Sequence, residues 1–296
     1  MEGKGMSVSS YLLRKLFTSE DNKRDAGLTT PDDIQRFDDI LYGTDAQWQC
    51  LDVYRPKAIQ GSLPVIVSVH GGGWVYGDKD RYQFYCMDLA RRGFAVVNFT
   101  YHLAPKYKFP QPLLDTCMAF QWVLDSADQY GLDTKNVFAV GDSAGGHLLA
   151  LYCILCTNSD YAARYDFAAN SAALPKAVGL NCGSYDIAGS GLTNGLTKDF
   201  LPGRGTPEER AFITPLNHIT KAFPPSYIMT ASKDFLQEDS LKLQGKLNAL
   251  GVPNTFRLYD NAGHSLGHVF HLDIRSAEAK ECNDEECRFF REHITG

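Results

Sequence analysis

Short apolar runs alternate with longer stretches of helical period along most of this chain. LPVIVSVH (63–70) and FAVVNFTY (94–101) are continuously apolar, as strands buried on both faces of a parallel sheet must be. NVFAVGD (136–142), KAVGLNCG (176–183), SYIMTAS (226–232) and TFRLYD (255–260) read as four more strands. RFDDILY (36–42) and WQCLDVY (48–54) read as a hairpin at the sheet edge. Between them, helices are predicted over 80–92, ending at Gly93, and over 113–131, closed by Gly131. Further helices are predicted over 143–156, 237–250 and 275–293. The pattern is that of an α/β chain with about eight strands, most of them parallel and separated by helices.

Two stretches break the alternation. The first is the arm 1–35, with a short amphipathic piece and a helix start at TTPDD, where Thr30 caps and Pro31 takes the first helical position. The second is 187–222, rich in Gly, Pro and Thr and lying between two predicted core strands. We expect one domain over residues 1–296, with these two stretches forming a small cap over the catalytic face.

Composition narrows the class. The chain has 296 residues, 44% hydrophobic and 22% charged, and a net charge of −6 with both signs interspersed. No nucleic-acid or anionic-membrane partner is expected from such a charge distribution. No window reaches the length of a membrane span. The apolar run near the N-terminus is broken by Arg14 and Lys15, unlike a secretory leader, so a cytoplasmic location is expected. The eight cysteines read as buried thiols, Cys153 and Cys156 included, since both sit in the apolar run LLALYCILC. Cys282 and Cys287 lack partners at ligand spacing, and no metal or cofactor is expected. A homodimer is compatible with the sequence.

The chemistry gathers at strand ends. Gly141-Asp142-Ser143-Ala144-Gly145 follows a strand and opens a helix, the context that holds a serine hydroxyl out at a tight turn. The helix start adds partial positive charge where an oxyanion would form. The side chain of Asp142 is expected to point away from the pocket. Gly263-His264-Ser265-Leu266-Gly267 matches the same G-x-S-x-G pattern, but no strand runs into it and no acid-bearing strand follows. His70-Gly71-Gly72-Gly73-Trp74 follows another buried strand and offers backbone N–H groups bare of side chains.

An acid and a base should follow the serine in chain order. Asp234 stands at the end of SYIMTAS, and His264 on the loop after TFRLYD. Asp186 is the competing acid and His268 the competing base. Glu238 and Asp239 are expected to be solvated on the following helix. His264, His268 and His271 fall at i, i+4 and i+7, a spacing that also admits a zinc site if the segment is helical.

HGGGW, GDSAGG, Asp234 and His264 in this order resemble the hormone-sensitive-lipase-like esterase branch of the α/β hydrolases. Tyr101-His102-Leu103-Ala104-Pro105 with Phe109-Pro110 is similar to that branch's Y-R-L-A-P…F-P segment, with His102 in place of the arginine. Phe235 stands where a proline is common, and Ser265-Leu266 where Gly-Phe is common. The resemblance covers roughly residues 48–293. It implies an α/β-hydrolase fold, an eight-stranded, mostly parallel sheet under a cap, and hydrolysis of carboxylic esters. It also implies a Ser143, Asp234, His264 triad with an oxyanion hole of Gly72, Gly73 and Ala144.

The expected function is therefore that of a serine carboxylesterase acting on small-molecule esters with short acyl chains. The chain shows no extended apolar stretch suited to a lipid interface. Trp74, Tyr76 and Tyr185 are candidate contacts for an aromatic or sugar-linked ester, which keeps acetylated or feruloylated carbohydrates among the substrates. An amidase, formamidase or peptidase would use the same residues. A non-catalytic binding protein would be expected to have lost one of the three.

Overall fold

The computed structural model describes residues 6–189, 191, 193–260 and 266–295. Eight strands form one sheet: β1 (Ile34–Leu41), β2 (Cys50–Pro56), β3 (Leu63–Val69), β4 (Ala95–Phe99), β5 (Leu132–Asp142), β6 (Val178–Asn181), β7 (Ser226–Ala231) and β8 (Asn254–Tyr259). Their order is β1-β2-β4-β3-β5-β6-β7-β8. β2 is antiparallel to both β1 and β4, and every other neighbouring pair is parallel.

The helices are α1 (Val8–Asp25), α2 (Lys79–Ala90), α3 (Gln111–Asp125), α4 (Ala127–Tyr130), α5 (Ala144–Thr157), α6 (Ser159–Ala162), α7 (Asn194–Phe200), α8 (Pro207–Phe212), α9 (Gln237–Leu250) and α10 (Ala277–Glu292). The central strands β3, β4, β6 and β7 are buried almost throughout, without alternation, because both faces of the sheet are covered there. Val65, Val67 and Val69 of β3 join one core with Phe120 of α3 and Leu148 of α5. Ile66, between them, joins the opposite core with Tyr82 of α2 and Phe290 of α10. Two cores on one sheet are what a doubly covered parallel sheet requires.

The arm departs from expectation. No helix begins at Thr30 and Pro31; the Pro31 carbonyl instead accepts from the N–H of Ile34, a turn that feeds β1. The helix lies earlier, as α1, with the Ser7 side chain capping it through the N–H of Ser10. One side of α1 faces the protein; elsewhere on its surface Val8, Tyr11, Leu12 and Leu16 are exposed, apolar positions the sequence was not expected to present. The second unusual stretch contains α7 and α8, and α7 packs against α1. No helix among the described residues is long and apolar enough to cross a membrane.

Parallel pairing brings the C-terminal ends of the central strands to one edge. Val69 is level with Gly141, and Asp142 with Asn181. The loops that leave β3, β5 and β7 at that edge carry the glycine-rich segment, Ser143 and Asp234, as ligand sites in open α/β sheets do.

Candidate active site

Ser143 sits between β5 and α5 with φ 52° and ψ −119°. A non-glycine residue is strained there, and the strain persists only because the surroundings enforce it. Its N–H donates to the Asn181 carbonyl at 3.1 Å, and its carbonyl accepts from Ser184 and His147. Gly145 cannot be replaced without a clash, since a Cβ would strike the carbonyls of Val69 and His70. The turn is thus held from both neighbouring strands.

The Ser143 Oγ lies 3.0 Å from Nε2 of His268, and Nδ1 of His268 lies 2.7 Å from Oδ1 of Asp234. Asp234 is buried, which raises a carboxyl pKa, but its contacts outweigh that cost. His268, the N–H of Leu236 and the hydroxyl of Thr230 together hold its pKa below the ordinary carboxylate value. An ionised Asp234 can only accept, so Nδ1–H of His268 donates to it. Nε2 then carries the lone pair that accepts the Ser143 hydroxyl proton.

His264, the expected base, lies outside the described residues, as do Gly263 and Ser265. The histidine that meets both Ser143 and Asp234 is His268, one helical turn further on. The loop path decides this: the N–H of Lys233 donates to the Leu266 carbonyl at 2.9 Å, and Lys233 bridges to Gly267. These contacts place His268 beside the acid-bearing loop. Asp186, the competing acid, instead pairs with Lys242.

The glycine-rich segment lies against the same serine. Gly72 has φ 111° and Gly73 φ 62°. A Cβ on Gly72 would run into the Tyr76 carbonyl, so that position requires glycine. No described residue accepts the N–H of Gly72 or Gly73, and Ala144 begins α5 with no side-chain cap.

Two cavities meet at Ser143. The larger, about 450 Å³, is lined by Gly72, Tyr76, Tyr82, Asp142, Ser143 and His268, together with Phe17 and Asp21 of α1. The smaller, about 250 Å³, is lined by Gly73, Trp74, Ser143 and Ala144, with Leu13 and Phe17 of α1 and Leu196 of α7 closing over it. Phe17 and Phe235 border both.

Several neighbours differ from expectation. Asp142 does not turn away: it lines the larger cavity, and its Oδ2 accepts from the Tyr82 hydroxyl at 2.8 Å. Trp74 lines the smaller cavity but is 1% exposed, stacked on Phe200 and donating through Nε1 to His147. The opposite nitrogen of His147 donates to the Ile213 carbonyl, so the ring is neutral, and burial lowers its pKa to about 4. Tyr185 is fully buried with its hydroxyl against Gly183 and Gly146, and it lines neither cavity. Asp239 is buried rather than solvated, accepting from the N–H groups of Tyr185 and Asp186. Glu238 is exposed beside Lys242.

Among the described residues one group has metal-ligand spacing: Cys182, Asp234 and His268, their ligand atoms within 4.8 Å of one another. Two of the three are already hydrogen-bonded to each other. Burial holds the Cys182 thiol well above its ordinary pKa, so it is a protonated thiol rather than a metal-binding thiolate.

Strand order, together with the strained serine turn after β5, defines an α/β hydrolase. The chain belongs to that family: the family model described as alpha/beta hydrolase fold matches residues 66–268. Its relatives include esterases. It is 28% identical over 229 residues to versiconal hemiacetal acetate esterase of Dothistroma septosporum, covering 72% of this chain and 69% of that one. It is 27% identical over 219 residues to esterase LipC of Mycobacterium tuberculosis, covering 66% of this chain and 50% of that one. The chain thus spans between half and about two thirds of these relatives. Among solved structures, esterase B of Lactobacillus rhamnosis, inhibited by a tributyrin phosphonate, superimposes with a TM-score of 0.86 at 26% identity. The superposition covers 96% of this chain and 94% of that one.

Proposed function

We propose that this chain hydrolyses small carboxylic esters through an acyl-enzyme, with Ser143 as nucleophile, His268 as base and Asp234 as the group that orients and charges the base. The hydrogen-bonded line from Ser143 through His268 to Asp234 carries the reading. Ser143 Oγ attacks the ester carbonyl as its proton passes to Nε2 of His268. The N–H groups of Gly72, Gly73 and Ala144 receive the negative oxygen. His268 then returns the proton to the departing alkoxide, and the C–O bond breaks. Water, deprotonated by His268, attacks the acyl-enzyme and releases the acid and the free serine. Esterase relatives support the ester bond as the one cleaved.

The leaving alcohol must lie where Nε2 of His268 can protonate it, and His268 lines only the larger of the two cavities. The acyl group then takes the smaller cavity, beside Gly73 and Ala144, whose 250 Å³ suits short chains. α1 and α7, which contribute walls to that cavity, act as its cap. The eight free cysteines suit a reducing compartment, in keeping with a cytoplasmic site of action.

The test is labelling with a fluorophosphonate followed by mass spectrometry of the modified peptide. Wild type should label on Ser143 and Ser143→Ala should not label at all. His268→Ala should lose about four orders of magnitude in p-nitrophenyl butyrate turnover, and His264→Ala far less. A label on another serine, or full activity in His268→Ala, would overturn the assignment.

A further inference from the structure

The smaller cavity, assigned above to the acyl group, is apolar over most of its wall. Leu13, Phe17, Trp74 and Leu196 border it, and no charged side chain does so among the described residues. The Nε1–H of Trp74 is already given to His147. Besides Ser143, two hydroxyl-bearing residues complete the wall, Ser184 and Thr193. They are 2% and 6% exposed, and the hydroxyl oxygen of each is buried without a hydrogen-bond partner.

Neither hydroxyl takes the bond that its position would ordinarily give it. Thr193 occupies the N-cap of α7, where a threonine side chain accepts from an N–H of the first turn, yet it makes no such bond. Thr206 does cap α8 in this way, and Thr197 of α7 donates to the Asn194 carbonyl. Ser184 is held beside the nucleophile by its backbone alone, its N–H donating to the Ser143 carbonyl at 3.2 Å. The larger cavity has no unpartnered buried side-chain atom among its described lining residues. A buried hydroxyl without a partner costs stability unless a ligand supplies one, and here two stand in the wall of one small cavity at the nucleophile.

Building on the esterase reading and its placement of the acyl group, we propose that Ser184 and Thr193 select the acyl chain, so that the preferred substrates are esters of short hydroxy acids. A hydroxyl on the acyl chain both donates and accepts, so it can complete either side chain. The absence of a charged residue from the described wall disfavours an ionised acyl group.

The test compares the enantiomers of ethyl 2-hydroxybutyrate and ethyl 3-hydroxybutyrate with ethyl butyrate, each rate divided by the ester's hydroxide-catalysed rate. Wild type should favour at least one hydroxy ester by about tenfold in kcat/KM, the worth of one hydrogen bond to an otherwise unsatisfied group. The ratio should fall towards unity in the Ser184→Ala/Thr193→Val double variant and partway in each single variant, which still reports if the double variant does not fold. Thr193→Ser, which keeps the hydroxyl, should retain the preference. Equal normalised rates in wild type, or a ratio untouched in the variants, would overturn the inference. So would a preference for 3-hydroxybutyl butyrate over butyl butyrate with none on the acyl side, because the alcohol would then occupy this cavity. Should ethyl butyrate turnover depend on Ser143 while no hydroxyl preference appears, the esterase reading stands and this one fails. No turnover of any ester would remove both.

Discussion

Thr230 shows how much of the candidate site is carried by residues that never meet a substrate. Its hydroxyl donates to Asp234 Oδ2 at 2.8 Å, while the Leu236 N–H donates to Oδ1. Both keep the carboxylate ionised in a buried position, and an ionised Asp234 is what fixes the proton on Nδ1 of His268. Thr230→Val keeps the shape of the side chain and removes this donor. We expect kcat for p-nitrophenyl butyrate to fall about tenfold, the worth of one hydrogen bond to a charged group, with KM nearly unchanged. Steady-state kinetics would show it, and an unaltered kcat would mean that Thr230 contributes only packing. The residues of this network differ in how far they could be read from sequence. Ser143 and Asp234 are legible because each follows directly from a strand end. The base is not: which histidine reaches the serine depends on the hydrogen bond from Lys233 to Leu266, a contact between two loops that leaves no local pattern. Asp142 is missed for a related reason, because its partner Tyr82 comes from α2, sixty residues earlier in the chain.

At the scale of elements, the strands were legible and the arm was not. Runs such as VIVSV admit only a doubly buried strand, whereas α1 has an apolar side facing the cavities and a second apolar stripe facing outward, which blurs its period. Among the contacts that hold α1, Arg14 donates from Nη2 to the Ala104 carbonyl at 3.0 Å and from Nε to the Val75 carbonyl beside the glycine-rich loop. Ser7 adds a bond from its N–H to Asp199 of α7 at 2.8 Å. Since α1 supplies Leu13 and Phe17 to the cavity walls, loosening it should weaken substrate binding more than chemistry. Arg14→Ala is expected to raise KM for p-nitrophenyl butyrate about five- to tenfold, as two lost hydrogen bonds of modest net worth allow, while fluorophosphonate still labels Ser143. A drop in kcat with KM held would instead place α1 in the catalytic step.

Across the whole molecule, the most consequential buried charge lies behind the sheet rather than in the site. Glu286 of α10 is fully buried, accepts from Asn181 Nδ2 at 2.8 Å and lies within 3.4 Å of the Tyr85 hydroxyl. Burial pushes its pKa up to about 7 from 4.5, against the pull of Asn181, Tyr85 and Arg92. Because the folded value lies above the unfolded one, its contribution to stability is full below about pH 4.5 and is lost as pH rises through 7. Over that window the loss is about 3 kcal/mol. Asp142, raised to about 7 by burial, acts in the same direction. His70, His147 and His271, lowered by burial to about 4, 4 and 3, act in the opposite one, costing stability as pH falls below 6.5. These terms are common to wild type and Glu286→Gln, so the difference between the two proteins isolates Glu286. The glutamine carbonyl can still accept from Asn181, and the variant has no charge to bury. Thermal melts should therefore be nearly equal at pH 5, with the variant more stable by about 5 °C at pH 8, given the entropy of unfolding of a chain this size. A gap that stays constant between the two pH values would show that the folded-state pKa of Glu286 is not raised above its unfolded value. The backbone carbonyl of the same Asn181 accepts the Ser143 N–H at 3.1 Å, so one residue of β6 touches both Glu286 behind the sheet and the Ser143 turn at its front.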